Sequence, residues 1–218
     1  MIPLRDNIPA RRTPVVMLAI LFLSVLVFLY ELRLTRGELV AFFNTFGMVP
    51  ARLLGPEPPI YTLVTSMFLH GGWLHLLGNL LYLWIFGNNV EDAMGHGRFA
   101  VFYLLCGLAA AGLQVAFQPD SPVPMVGASG AIAGVLGAYL VLFPRARILA
   151  LVPMGFFTQL AEVPAMLFLP LWFVLQLLYG VASLGVSTQA GGVAFWAHVG
   201  GFVAGVVLVR WFVRRRRW

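Results

Sequence analysis

Ser129 stands in Gly127-Ala128-Ser129-Gly130-Ala131 and His198 in Ala197-His198-Val199-Gly200-Gly201, a hydroxyl and an imidazole set among small residues within apolar runs. A serine hydroxyl is a weak nucleophile until a neighbouring base takes its proton, and histidine is the side chain that titrates near neutral pH. The two types together admit acyl transfer through a Ser-His dyad, provided that the fold joins them.

His70, His75 and Asn79 form a second polar group beside an apolar run. His75 and Asn79 are four residues apart, so on a helix they share one face and present two hydrogen-bond donors there. Ser129 opens another apolar run, where a helix start gathers unpaired N–H groups and the positive end of the helix dipole. That combination suits an oxyanion.

Each residue taken alone has a plainer reading. A serine in a membrane helix usually bonds a carbonyl one turn back, and a histidine or asparagine there can simply bridge helices. His70 reads as structural, and His96, between Gly95 and Gly97, is assigned no chemistry. Glu91 and Asp92, in Gly87-x-x-x-Glu91-x-x-x-Gly95, are expected to fix a helix end through backbone N–H groups. A metalloprotease would need a His-Glu-x-x-His helix, but Gly71, Gly72, Trp73 and Leu74 separate His70 from His75. Neither a metal site nor a cofactor is expected.

The elements that must position these groups follow from composition. Of 218 residues, 61% are hydrophobic and 10% charged, too little charge for a water-exposed surface. Apolar runs near 14–32, 74–90, 98–117, 128–143, 164–184 and 193–213 have about the length that crosses a hydrocarbon core. The expected fold class is an all-α membrane protein of six transmembrane helices in one domain. The fourth run carries Gly130, Gly134 and Gly137 and the sixth carries Gly200, Gly201, Ala204 and Gly205. This small-x-x-x-small spacing lets backbones approach closely in lipid. Such packing is expected to bring His198 to Ser129.

The net charge of +6 rests wholly on arginine and is concentrated at the ends: Arg5, Arg11 and Arg12, then Arg210 and Arg214 to Arg217. With Arg98, Arg145 and Arg147, the positive-inside rule puts both termini in the cytoplasm. Loops around 33–73, 118–127 and 185–192 then lie outside, as do the helix ends bearing His75, Asn79, Ser129 and His198. The basic tail reads as an anchor to anionic headgroups and not as a nucleic-acid site. The run Val15 to Tyr30 is followed by Glu31, Leu32 and Arg33, with no small-residue cleavage site, and reads as a retained span. The first loop mixes apolar stretches with Pro50, Pro56, Pro58 and Pro59 and is expected to lie in the interface. The single Cys106 can form no internal disulfide. No internal repeat favours a transporter.

From about Tyr61 to Gly205 the chain resembles the rhomboid intramembrane protease family. His70-Gly71-Gly72-Trp73-Leu74-His75-x-x-x-Asn79 is similar to that family's second-helix signature, Gly127-x-Ser129-Gly130 to its nucleophile motif, and Ala197-His198-x-x-Gly201-x-x-x-Gly205 to its base motif. The resemblance implies a six-transmembrane-helix rhomboid-like bundle over residues 14–213, with a cytoplasmic segment 1–13 before it and a basic cytoplasmic tail 214–218 after it. It implies a serine endopeptidase in which Ser129 attacks and His198 takes the proton, while His75, Asn79 and the Ser129 backbone N–H hold the oxyanion. It also implies membrane-anchored protein substrates, cut in or near a transmembrane segment where the helix unwinds. A short chain with no added soluble domain is expected in a bacterial cytoplasmic membrane, as a multi-pass protein. Two positions depart from the pattern. Tyr61-Thr62 stands where many members have Trp-Arg, and Ala133 where some have a tyrosine stacked on the histidine. The rival functions are a rhomboid-like protein that binds membrane clients without cutting them and a small-solute channel or transporter.

Overall fold

The computed structural model describes residues 1–154, 157–184 and 193–213. The expected outer loop at 185–192 and the basic tail at 214–218 lie outside them.

Helices occupy all six apolar segments: α1 (Val15–Glu31), then, after the first loop, α5 (Trp73–Met94), α6 (His96–Phe117), α7 (Ser129–Leu142), α8 (Ala165–Ser183) and α9 (Phe195–Phe212). Among the described residues α6, α8 and α9 are long and apolar enough to cross a membrane. Glu91 and Asp92 lie inside α5, near its end. Gly95, at φ +82, separates α5 from α6 by one residue, a backbone conformation that glycine tolerates and that turns the chain sharply.

α7 is the axis of the bundle. Every residue from Gly130 to Tyr139 is buried, between α5, α6, α8 and α9. At 14 residues it rises about 21 Å, against about 33 Å for the 22-residue α6. Gly130 faces Ala110 of α6, so the last seven residues of α6, Ala111 to Phe117, run on past the start of α7, and Ser129 borders a cavity there. Small residues let the neighbours close in: Gly134 meets Cys106 of α6, and Gly137 meets the backbone at Phe202 of α9. At the other end Phe86, Phe99, Phe102 and Tyr139 are fully buried, with the Phe86 and Tyr139 rings edge to face at 4.9 Å.

The first loop is more ordered than its prolines suggest. It holds α2 (Arg36–Phe46), α3 (Pro50–Leu53), α4 (Thr62–Thr65) and a 3₁₀ turn at Ser66–Phe68. Thr35 and Glu38 form a reciprocal capping box at the start of α2. α2 buries none of its residues, and Leu54, Ile60 and Tyr61 nearby are exposed.

The all-α expectation is corrected: the chain is mostly helical but contains a three-stranded antiparallel sheet, ordered β1 (Ile2–Asp6), β2 (Arg147–Met154), β3 (Phe157–Pro164). The segment after α7 alternates in the period of a strand. Ile148 and Ala150 are fully buried while Arg147 is exposed, so one face of β2 closes the bundle. The amino-terminal residues supply the third strand, held by Asp6, whose carboxylate accepts from Tyr139 Oη and from Asn89 Nδ2. Partial burial holds the Asp6 carboxyl above its ordinary value, against the opposing pull of the Tyr139 hydrogen bond.

The sheet shares its end of the bundle with the ends of α5 and α9 and the starts of α1 and α6. Arg98 at the start of α6 donates to the carbonyl of Val213, beyond the end of α9. Glu91 is 1% exposed and accepts from the N–H groups of Val16 (3.0 Å) and Met17 (2.7 Å). It therefore caps the start of α1 and not the end of its own helix. His96, the first residue of α6, places Nδ1 2.5 Å from the same carboxylate.

Candidate active site

Ser129 is the first residue of α7, and the first bond of that helix runs from Ile132 N to Ala128 O. The N–H groups of Ser129, Gly130 and Ala131 precede that bond and have no carbonyl within the helix to meet. The hydroxyl therefore sits at the positive end of α7. Gly127 reaches it at φ +118, and its own N–H donates to Ser66 O. A Cβ on Gly127 would press on the His75 ring and approach Asn79 Nδ2. The turn that carries Ser129 is thus built directly against His75 and Asn79.

His198 lies in the first turn of α9, 8% exposed, and its Nε2 is 2.8 Å from Ser129 Oγ. The approach of α7 to α9 makes this possible. Methyl groups built on Gly201 or Gly205 would collide with the backbone of Gly130 or Gly134 respectively, so larger side chains there would separate the helices. Gln114 of α6 secures the start of α9 by accepting from Ala197 N (3.1 Å), while its amide donates to Gln118 Oε1.

His75 and Asn79 share one face of α5, as their spacing predicts, and both line the same cavity as Ser129 and His198. Gly71 N–H points at His75 Nδ1 (3.4 Å), which places the ring hydrogen on Nε2, the atom nearest Gly127. Asn79 is 8% exposed and its Nδ2 has no hydrogen-bond partner. A buried donor without an acceptor is costly, and this one lies next to Gly127, two residues before the serine.

The cavity holds about 900 Å³, with Met125, Val126, Trp172 and Trp196 among its walls. Its size and apolar walls suit an extended peptide segment, and Ser129, His198, His75 and Asn79 are among its polar lining groups.

His70 is 1% exposed and stands behind His75, ring centroids 5.3 Å apart. Its N–H donates to Glu31 at the end of α1, and its Nδ1 meets Phe68 O. Burial, with the neighbouring His75 adding to it, pulls the His70 imidazole down to about 4, so it is neutral at pH 7.

Two amides in this region lay outside the sequence reading. Gln114 anchors the start of α9, and Gln176 of α8 places Oε1 2.7 Å from His198 Nδ1. The available signal was an amide alone in an apolar span, a group that must find a partner there.

The family model described as Rhomboid domain matches residues 57–215. The Rhomboid protease GluP of Bacillus subtilis (strain 168) is 34% identical over 148 residues, covering 68% of this chain and 26% of that one. Rhomboid protein 1, mitochondrial, of Saccharomyces cerevisiae is 29% identical over 158 residues, 71% of this chain and 42% of that one. Inactive rhomboid protein 1 of Papio anubis is 33% identical over 165 residues, 74% of this chain and 17% of that one. The chain thus spans less than half the length of these relatives.

Proposed function

Because the chain belongs to the rhomboid family, we propose that it is an intramembrane serine endopeptidase that hydrolyses peptide bonds in or near transmembrane segments of membrane-anchored proteins. The observation that carries this reading is the 2.8 Å separation of His198 Nε2 and Ser129 Oγ at the edge of a cavity. His198 takes the hydroxyl proton as Ser129 Oγ bonds to the substrate carbonyl carbon. His75 Nε2–H, Asn79 Nδ2–H and the Ser129 backbone N–H receive the developing oxyanion. The imidazolium then gives its proton to the leaving amine, and His198 activates a water that hydrolyses the acyl-enzyme. In this reading His70 is no participant; it supports the ring of His75.

The protein is an integral membrane protein, and the topology that fits the reading has α1, α5, α6, α7, α8 and α9 as membrane helices. Arg98, Arg145 and Arg147 lie at the sheet end of the bundle, away from the cavity, in keeping with a cytoplasmic sheet and a cavity open to the outside. Both termini are then cytoplasmic. In this reading the reaction lies beneath the membrane surface, where an aqueous cavity must deliver the water.

The kinship with an inactive rhomboid protein gives weight to a second reading, in which the cavity binds membrane clients without cutting them. Reaction of the purified, detergent-solubilised protein with a fluorophosphonate probe separates the two. The protease reading expects a phosphonyl adduct on Ser129 by mass spectrometry, lost in Ser129→Ala and in His198→Ala. A well-folded protein that takes no label, although the probe reaches the cavity, would favour the binding protein.

A further inference from the structure

The catalytic reading requires His198 to hold a particular tautomer, with Nε2 bare to receive the Ser129 proton and the ring hydrogen on Nδ1. A neutral imidazole free to exchange tautomers spends part of its time with the hydrogen on the wrong nitrogen. Something must fix it. Ala133, beside the site on α7, has no ring or polar group to offer the imidazole.

α8 supplies both contacts on the remaining side of His198. Trp172 lies with its ring centroid 5.8 Å from the imidazole at 34°, and Gln176, four residues on and so on the same face, places Oε1 2.7 Å from Nδ1. Around it α8 is apolar and outward-facing: Leu175, Leu177, Leu178 and Tyr179 are all exposed, while Gln176 is half-buried. An amide in such a helix is costly unless it is paired, and the His198 contact pairs it. The oxygen of the amide can only accept, so a bond at Nδ1 demands a hydrogen there.

We propose that Gln176 is the positioning residue of the catalytic base, a neutral third member that fixes the Nδ1–H tautomer of His198 through its side-chain oxygen. The inference rests on the Ser129–His198 dyad as the reacting pair. It adds that α8 must be docked against α9 for the base to be oriented, since Gln176 reaches His198 from α8 alone.

The decisive measurement is the imidazole ¹⁵N spectrum of His198 in the detergent-solubilised protein, assigned by its loss in His198→Ala. This reads the tautomer whether or not the serine reacts. The wild type is expected to show Nδ1 protonated and Nε2 bare. Gln176→Met, equal in length but with only a weakly accepting thioether, is expected to give a tautomer mixture, and Gln176→Glu, which keeps a strong acceptor, to restore Nδ1–H. Fluorophosphonate labelling of Ser129 should slow about tenfold in Gln176→Met and recover in Gln176→Glu. A wild-type His198 with its hydrogen on Nε2 overturns the proposal, and so does an Nδ1–H signal unchanged in Gln176→Met, which would leave Gln176 as a helix-packing contact. Failure of wild-type labelling with the Nδ1–H signal present and dependent on Gln176 would instead count against the protease reading alone.

Discussion

Gly201 of α9 faces the carbonyl of Gly130 on α7 so closely that a methyl group on it would overlap the oxygen. Gly130 follows Ser129 directly, and Gly201 lies one turn beyond His198 on the same helix. The small-residue contact and the Ser129–His198 contact are therefore one construction, and the Nε2–Oγ distance depends on how closely these backbones approach. Gly201→Ala is expected to lower stability by about 1–3 kcal/mol through overpacking. Because it separates the two helices at the site, it should also reduce fluorophosphonate labelling of Ser129. Thermal unfolding in detergent and labelling rate, measured on the same preparation, check both; a variant that melts lower yet labels normally would uncouple packing from the dyad.

Asn79 separates rate from stability. Its Nδ2 is buried and has no partner, so its removal breaks no existing bond of that group. Asn79→Ala should slow peptide cleavage by about 10²-fold or more, the usual consequence of deleting an oxyanion donor, while changing thermal stability little. A cleavage assay on a membrane-anchored model substrate, paired with a melting curve, tests this. An unchanged rate would remove Asn79 from the oxyanion site.

The readable part of this arrangement was the part carried by spacing. His75 with Asn79 announces one helix face, and the glycines around Ser129 and His198 announce close packing, because helix geometry converts such intervals into contacts. Gln176 and Gln114 have no interval to betray them, since each meets its partner only through the tertiary packing of separate helices. One strand of the sheet was hidden for a related reason. β1 meets β2 only across the greater part of the chain, Ile2 opposite Leu151, so no local pattern marks that pairing, whereas β2 and β3 are neighbours in sequence and pair Met154 with Phe157. α2 also departs from the loop expected at 33–73: Thr35-x-x-Glu38 forms a capping box, a local signal of a helix start that the prolines farther along the loop mask.

Glu91 is a structural hub at the end of the bundle away from the cavity. Its carboxylate caps the first turn of α1 through Val16 and Met17 and meets His96, while Asp92 accepts from Arg11 N. Glu91→Ala leaves two buried or half-buried N–H groups of α1 unpaired. It should destabilise the protein by about 1–3 kcal/mol, most directly at α1. At a temperature where the variant remains folded, labelling of Ser129 should persist. Limited proteolysis of the amino-terminal segment and a melting curve would show the effect; loss of labelling with an intact fold would mean that this end acts on the site as well.

His70 sets a pH dependence of stability with a definite sign. Burial, assisted by the neighbouring His75, pulls its imidazole from 6.5 to about 4, so the folded protein holds it neutral where the unfolded chain would protonate it. Folding then releases a proton between those two values. The stabilisation associated with neutral His70 is complete above pH 6.5, declines as the pH falls through that window, and is gone below about pH 4, a difference of about 3 kcal/mol in all. Glu31, which accepts from His70 N–H, also faces this region, so the comparison must be internal. His70→Phe, of similar ring size and unable to titrate, should reduce the slope of stability against pH between 6.5 and 4 relative to wild type, whatever other groups contribute. Equilibrium unfolding at a series of pH values for the two proteins measures it, and parallel slopes would show that His70 is not held neutral by the fold.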